Sequence, residues 1–144
     1  MTGKEKIHQA LAHQAGPVPL DLGSTAVTGV HVSVVAQLRR HYGLPEEPVK
    51  VIEPYQMLGE IAPDLRAAMG GDVVGVMPRC TIFGFPLDKW KPWRTPWGQE
   101  VMIPGDMKLK EDGRDLLMFP EGDVTAPPSG RMPEGGYFFD AIIR

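Results

Sequence analysis

The chain has 144 residues, 42% apolar and 23% charged, enough for one domain with a core of its own. A net charge of −3, with 15 Lys and Arg scattered along the sequence, offers no basic stripe for nucleic acid, and no apolar run approaches the roughly 20 residues of a membrane helix. The single cysteine, Cys80, excludes an internal disulfide and a paired-cysteine zinc site; with an N-terminus lacking the apolar core of a signal peptide, this reads as a cytoplasmic protein.

Residues 4–13 predict a short helix with Ile7, Ala10 and Leu11 on one face, Thr2 as its N-cap and Gly16-Pro17 as its stop. Residues 18–22 read as a buried strand in which Leu20 and Leu22 share a face. Pro17 and Pro19 confine it to an edge or to its first ladder positions. Asp21 alternates to the other face, where it either meets a barrel lumen or takes a structural hydrogen bond from a neighbouring loop. The small-residue loop 23–29 follows, then a helix from Thr28 or Gly29 to Tyr42. Val30, Val34, Leu38 and Tyr42 recur at i+4 steps and predict its buried stripe, with Gln37, Arg39 and Arg40 on the wet side. Gly43 suits the left-handed residue beyond the helix, and Pro45 blocks continuation.

Residues 49–52 read as extended. Pro54 and Pro63 each suit a first helical position, predicting helices over 55–61 and 64–69, the second ended by Gly70-Gly71. Residues 72–77, Asp-Val-Val-Gly-Val-Met, predict a second buried strand, and this β–α–α–β order is what a parallel sheet produces. The expected core is Leu20, Leu22, Val34, Leu38, Leu58, Val74 and Val76. Pro, at about twice its usual share, and Gly concentrate after Phe83 and shift the pattern to turns and short strands. Residues 99–103, 107–111, 115–119 and 123–126 read as such strands, with a hairpin turn at Asp112-Gly113 and another turn over 127–130.

The loop 23–29 is the leading candidate site. Gly23 can take a positive φ, and Ser24, Thr25 and Thr28 offer hydroxyls beside a helix N-terminus, a place for a carboxylate or phosphate. The plain alternative is helix capping by Thr28. The Gly-x-Gly spacing of a dinucleotide site is absent. His31, in the first turn after the loop, is the one histidine placed to meet a ligand, against the reading of a solvated or capping group. Arg79 follows the second strand and either grips a carboxylate with two donors or makes a surface ion pair. Cys80 has no general base near it in sequence. Trp90, Trp93 and Trp97, interleaved with cations, either stack a planar ligand or cover a sheet, and the paucity of other large apolar groups in that arm favours the cover.

Three stretches together carry a resemblance: Ile7-His-Gln-Ala-Leu-Ala-His13, Val18-Pro-Leu-Asp-Leu-Gly-Ser-Thr-Ala-Val-Thr-Gly29 and Tyr55-Gln-Met-Leu-Gly-Glu-Ile61. With them the chain resembles the N-terminal part of the uroporphyrinogen decarboxylase superfamily, which also holds the cobalamin-dependent methyltransferases. Residues 55–58 and Pro-Glu-Gly-Gly-Tyr-Phe-Phe-Asp140 look most like the methyltransferase-related branch. The resemblance implies an α/β fold: a partial (β/α)8 (TIM) barrel made of its first two βα units plus an antiparallel β-hairpin excursion. Residues 1–80 would be the βα portion and 81–144 the hairpin arm.

It further implies methyl transfer from a corrinoid or methylated substrate, or porphyrinogen decarboxylation, a lyase reaction of porphyrin metabolism. A small-molecule or tetrapyrrole-type substrate would then meet Ser24, Thr25, Thr28, His31 and Arg79. Decarboxylases of this family carry an arginine-rich loop where this chain reads Gly23-Ser24-Thr25, which disfavours that activity. No cofactor is expected on this segment; corrinoid and zinc would belong to a complete methyltransferase relative. A barrel of this kind takes about 250 residues. The expectation is therefore a segment inactive alone, from a truncated or split reading frame, a two-chain enzyme or a free-standing remnant. Self-association or a partner chain would complete it. The rival reading is a non-catalytic assembly module that pairs its strand edges and aromatic arm with a partner chain.

Overall fold

Burial of three of the five residues of Val49–Glu53 (β2) accompanies its place at the centre of the larger sheet in a computed structural model describing residues 1–142. Val49, Val51 and Ile52 are buried, and β2 takes partners on both sides. One neighbour is Leu58–Gly59 (β3), which pairs in turn with Val30–His31 (β1). The other is Glu100–Pro104 (β5), which runs parallel to β2 and antiparallel to Trp90–Arg94 (β4). The order β1-β3-β2-β5-β4 thus joins the two halves of the sequence in one sheet.

The helix expected over 55–61 is absent. The Glu53 carboxylate accepts from the backbone N–H of Tyr55 (2.9 Å) and Gln56 (2.7 Å), and Met57 takes φ 54°. Those bonds cap a first turn as an N-cap would, but the left-handed Met57 ends it at once and Leu58 and Gly59 take ladder partners, so the chain reverses tightly into β3. Pro63 does open a helix, Pro63–Met69 (α3), and Gly70 ends it in the left-handed region.

A second, wholly antiparallel sheet holds Leu109–Asp112 (β6), Asp115–Met118 (β7), Gly130–Met132 (β8) and Asp140–Ala141 (β9) in that order. The expected hairpin forms, but its two-residue loop is Gly113-Arg114, one residue later than Asp112-Gly113: Asp112 stays in the strand facing Asp115, and Gly113 takes φ 65°. Residues 123–126 form no strand. A short turn over Pro120–Gly122 precedes them, and Asp123 Oδ1 accepts from both the N–H and the hydroxyl of Thr125, closing a turn there instead. The last strand pairings begin at Gly130, where a turn was expected.

Gly3–Leu11 (α1) starts in a complete capping box between Thr2 and Glu5 but ends earlier than expected, before His13 at φ 55°. None of its residues is buried. Val32–His41 (α2) starts later than expected, because residues 26–28 form a single 3-10 turn and Val30 joins a strand. This delay moves the buried face to Val32, Val35 and Arg39, leaving Val34 and Tyr42 exposed. Arg39, expected on the wet side, is only 4% exposed. Its guanidinium meets the Asp64 carboxylate at 3.0 and 3.1 Å and Glu47 at 2.9 Å, and its Nε donates to the Pro45 carbonyl. Arg39 thereby ties α2 to α3.

One core cluster spans both sheets and runs from Val32, Val35 and Leu65 through Phe85, Val101 and Ile103 to Met118, Met132 and Phe139. Four fully buried methionines, Met57, Met107, Met118 and Met132, fill it, as suits an unbranched side chain in irregular gaps between short elements. Of the expected core, Leu58 is buried, Leu22 and Leu38 are half-buried, and Leu20, Val34, Val74 and Val76 are exposed.

The two predicted barrel strands, 18–22 and 72–77, are extended but join no ladder. They lie side by side in the same sense. The Leu20 carbonyl accepts from the Asp72 N–H (2.8 Å), and further along a Cβ on Gly75 would fall 1.5 Å from the Ser24 carbonyl oxygen. Val18, Val74 and Val76 face outward at 86%, 68% and 95% exposure. The reason is a competition for partners. β2 is saturated by β3 and β5, Pro17 and Pro19 lack N–H donors, and the Asp72 carboxylate takes the Leu20 N–H itself (2.9 Å). The result is a mixed α/β fold with two sheets and three helices among the described residues, and no closed barrel.

Candidate functional site

Loop 21–28 is organised around one carboxylate. Asp21 accepts from the Ser24 backbone N–H (3.3 Å), the Ser24 hydroxyl (2.8 Å) and the Thr28 hydroxyl (3.2 Å). Gly23, at φ 71°, donates its N–H to the Thr28 carbonyl (2.8 Å) and closes the loop on itself. The Thr25 hydroxyl accepts from the Val27 N–H (3.3 Å) and caps the 3-10 turn Ala26–Thr28. Two of the three candidate hydroxyls therefore spend their proton on Asp21. What they leave for a ligand is oxygen lone pairs, together with the Thr25 hydroxyl proton on an exposed side chain. Asp21 takes the structural role, organising the loop from within.

His31 is the N-cap of α2. Its Nδ1 accepts from the Ser33 N–H (3.2 Å) and lies 2.8 Å from the Ser33 hydroxyl oxygen, and its Nε2 lies 2.8 Å from the Tyr137 carbonyl. A carbonyl only accepts, so Nε2 carries the proton. The ring also stacks near Trp97, with centroids 5.3 Å apart. His31 is thus a strut between α2 and the segment before β9.

Arg79 lies on an exposed turn whose ends meet in a bridge between Cys80 and Pro86. Its carbonyl accepts from the Leu87 N–H (3.0 Å), while its guanidinium has no ion pair among the described residues.

A cleft of about 250 Å³ runs between the two extended segments and α3. Gly23, Ser24, Val73 and Gly75 line it, together with Glu60 and Arg66. Of the predicted site residues, Ser24 alone reaches it; Thr25, Thr28, His31 and Arg79 do not. Glu60 and Arg66 are additions that the sequence does not advertise. Arg66 looks like an ordinary helix-surface cation until Gly71 folds back on its stem, where a Cβ would meet the Arg66 Cγ at 2.7 Å. Glu60 sits 3.6 Å from Lys50.

Elsewhere the ion pairs are structural. Arg39 holds the Asp64 carboxyl below the usual range, and Arg131 does the same for Asp115. The Leu20 N–H, and after it Lys6, lower Asp72. Among the described residues no three His, Cys, Asp or Glu side chains gather as a metal-holding group, and Cys80 is an exposed free thiol. These residues do not fit a zinc ion. Trp90 and Trp93 lie along β4, and the Lys50 ammonium sits 5.4 Å from the Trp90 ring centroid. Trp97 stands apart from them and packs on His31 and Tyr137. No helix among the described residues is long and apolar enough to cross a membrane. No family model, curated protein or solved structure matches the chain.

Proposed function

We propose that the chain is the N-terminal segment of a uroporphyrinogen decarboxylase-like barrel, of the corrinoid-dependent methyltransferase kind rather than a decarboxylase. The observation that carries this reading is the parallel approach of residues 18–24 and 72–77, held by the Leu20–Asp72 backbone bond and the Ser24–Gly75 contact. Two extended segments in the same sense, with helices α2 and α3 between them, support a reading as successive βα units, into whose connection strands β1 to β3 are inserted. In that arrangement loop 23–29 and Arg79 leave the carboxyl ends of neighbouring strands, where barrels bind substrate.

The residues then divide the work. Arg79, with its guanidinium unpaired among the described residues, takes a substrate carboxylate. Ser24, Thr25 and Thr28 present hydroxyl oxygens on a loop that Asp21 keeps in shape. His31 holds α2 in place behind them. A corrinoid supplies the methyl group in such enzymes and would be bound outside these residues, as would zinc. Gly23-Ser24-Thr25 has no cation for the acidic side chains of a porphyrinogen, and this weighs against decarboxylation.

On this reading the chain turns nothing over alone and acquires methyl transfer when the remaining βα units are supplied as a second polypeptide. Arg79→Gln should then raise the KM for substrate about tenfold, the value of one charge-assisted pair, without altering assembly. Turnover by the isolated chain, or absence of turnover in the reconstituted pair, overturns the proposal.

A second reading has its own observation. Val74 and Val76 point to water from a segment whose backbone joins no ladder, as in a surface that docks a strand of another protein without catalysis. A complex that forms tightly with a partner strand yet shows no methyl transfer selects this assembly role.

A further inference from the structure

A second cleft, of about 370 Å³, opens between the Pro96-Trp97 corner that joins β4 to β5 and the 133–137 turn that leads towards β9. Its volume lies within the range of small-molecule sites. Trp97, Tyr137, Leu116 and Met132 form apolar walls, and Arg114 and Glu134 stand among its lining residues. The rings of His31 and Tyr137 lie 5.3 and 5.2 Å from Trp97, centroid to centroid, but only 6.1 Å from each other. They are too close together to sit on opposite faces of the indole, and Trp97, half-buried against the core, keeps part of its surface in the cleft. Tyr137 is 53% exposed, and its hydroxyl has no hydrogen-bond partner among the described residues.

The charged groups here are paired unevenly. Arg114, in the tight loop between β6 and β7, donates from Nη1 alone to both Glu134 oxygens, at 2.9 and 3.2 Å. Its Nε and Nη2 bond nothing among the described residues. Each Glu134 oxygen accepts from that same nitrogen, and the neighbouring Asp115 is taken by Arg131 and by the Glu134 N–H. A cationic ligand would find aromatic faces and a carboxylate already paired with Arg114. An anionic one finds unused guanidinium donors in a planar fork beside stacking surfaces.

We propose that this cleft binds a planar aromatic carboxylate of one or two rings. The ring stacks on Trp97 and Tyr137, and the carboxylate accepts from Arg114 Nε and Nη2. Titration of the full chain with phenylacetate, followed by tryptophan fluorescence and calorimetry, provides the test, with phenethylamine as the charge-reversed probe. Saturable binding of phenylacetate is expected, with phenethylamine weaker by about tenfold or more. Arg114→Gln should weaken phenylacetate by a similar factor and, by freeing Glu134, strengthen phenethylamine. The Arg114 side chain is 80% exposed on a loop tip, so an unchanged melting temperature is expected and separates lost binding from lost fold. No saturable phenylacetate binding, equal or tighter phenethylamine binding, or an Arg114→Gln variant that binds phenylacetate normally would each overturn the assignment.

Discussion

Gly75 shows how much one side chain decides. Its Cβ would sit 1.5 Å from the Ser24 carbonyl oxygen, a distance no relaxation of a side chain can relieve because both groups are backbone. Gly75→Ala should therefore push the two extended segments apart and cost about 1–3 kcal/mol, in the range of overpacking. A urea-melt midpoint equal to wild type would show that the close approach does not exist in solution. Asp64 makes a different residue-scale case. Arg39 holds its carboxyl below the ordinary range, so its folded pKa lies below its unfolded one. The stabilisation is present above the unfolded value of about 3.9 and is lost as pH falls through the folded value. Asp64→Asn should thus flatten the acid limb of stability below about pH 5. An unchanged limb would place the ion pair outside the acid transition. Glu5, Asp72, Asp115 and Asp123, also lowered by bonds they accept in the fold, contribute further to the slope.

At the scale of elements, capping and packing separate cleanly in α1. Its N-terminus has a full Thr2–Glu5 box, yet no residue of the helix is buried, and among the described residues its only long-range ion pair is Lys6 with Asp72. Local bonds, rather than the core, maintain it. Thr2→Ala should weaken the helix by about 1 kcal/mol, raising hydrogen exchange across residues 3–11 while leaving the global melt unchanged. A matching fall in global stability would mean that α1 belongs to the cooperative core. Helix α2 is the opposite case: valine-rich and a poor helix former by propensity, it is held by Val32, Val35 and the buried Arg39.

For the whole molecule, the outward-facing ribbon matters most. Val18, Val74 and Val76 expose branched apolar side chains on segments without ladder partners, and each buried Å² of such surface returns about 25 cal/mol. The chain should therefore self-associate in sedimentation. Val76→Lys should shift it towards monomer without lowering the melting temperature, since Val76 is 95% exposed. A wild-type chain that sediments as a monomer at high concentration would show that the ribbon is satisfied by solvent alone.

Local chemistry was legible in the order of residues. The Thr2 cap, the Pro63 helix start with its Gly70 stop, the left-handed Gly43 and the hairpin at Gly113 all follow from bonds and torsions within a few positions. So did the crowding of hydroxyls in loop 23–29, although their orientation towards Asp21 depended on the folded loop. What the tertiary structure decided was partnership. Val18–Leu22 and Asp72–Met77 carry the composition of buried strands, but strand pairing is settled by which edge reaches β2 first in space, and β3 and β5 hold both of its sides. The face of α2, the burial of Arg39, the turn that Glu53 imposes after Pro54, and the gathering of Trp97, Tyr137 and Arg114 around one cleft likewise join residues far apart in the chain or in competing local states. Periodicity reports which residues seek cover; only the three-dimensional competition among segments decides which of them receive it.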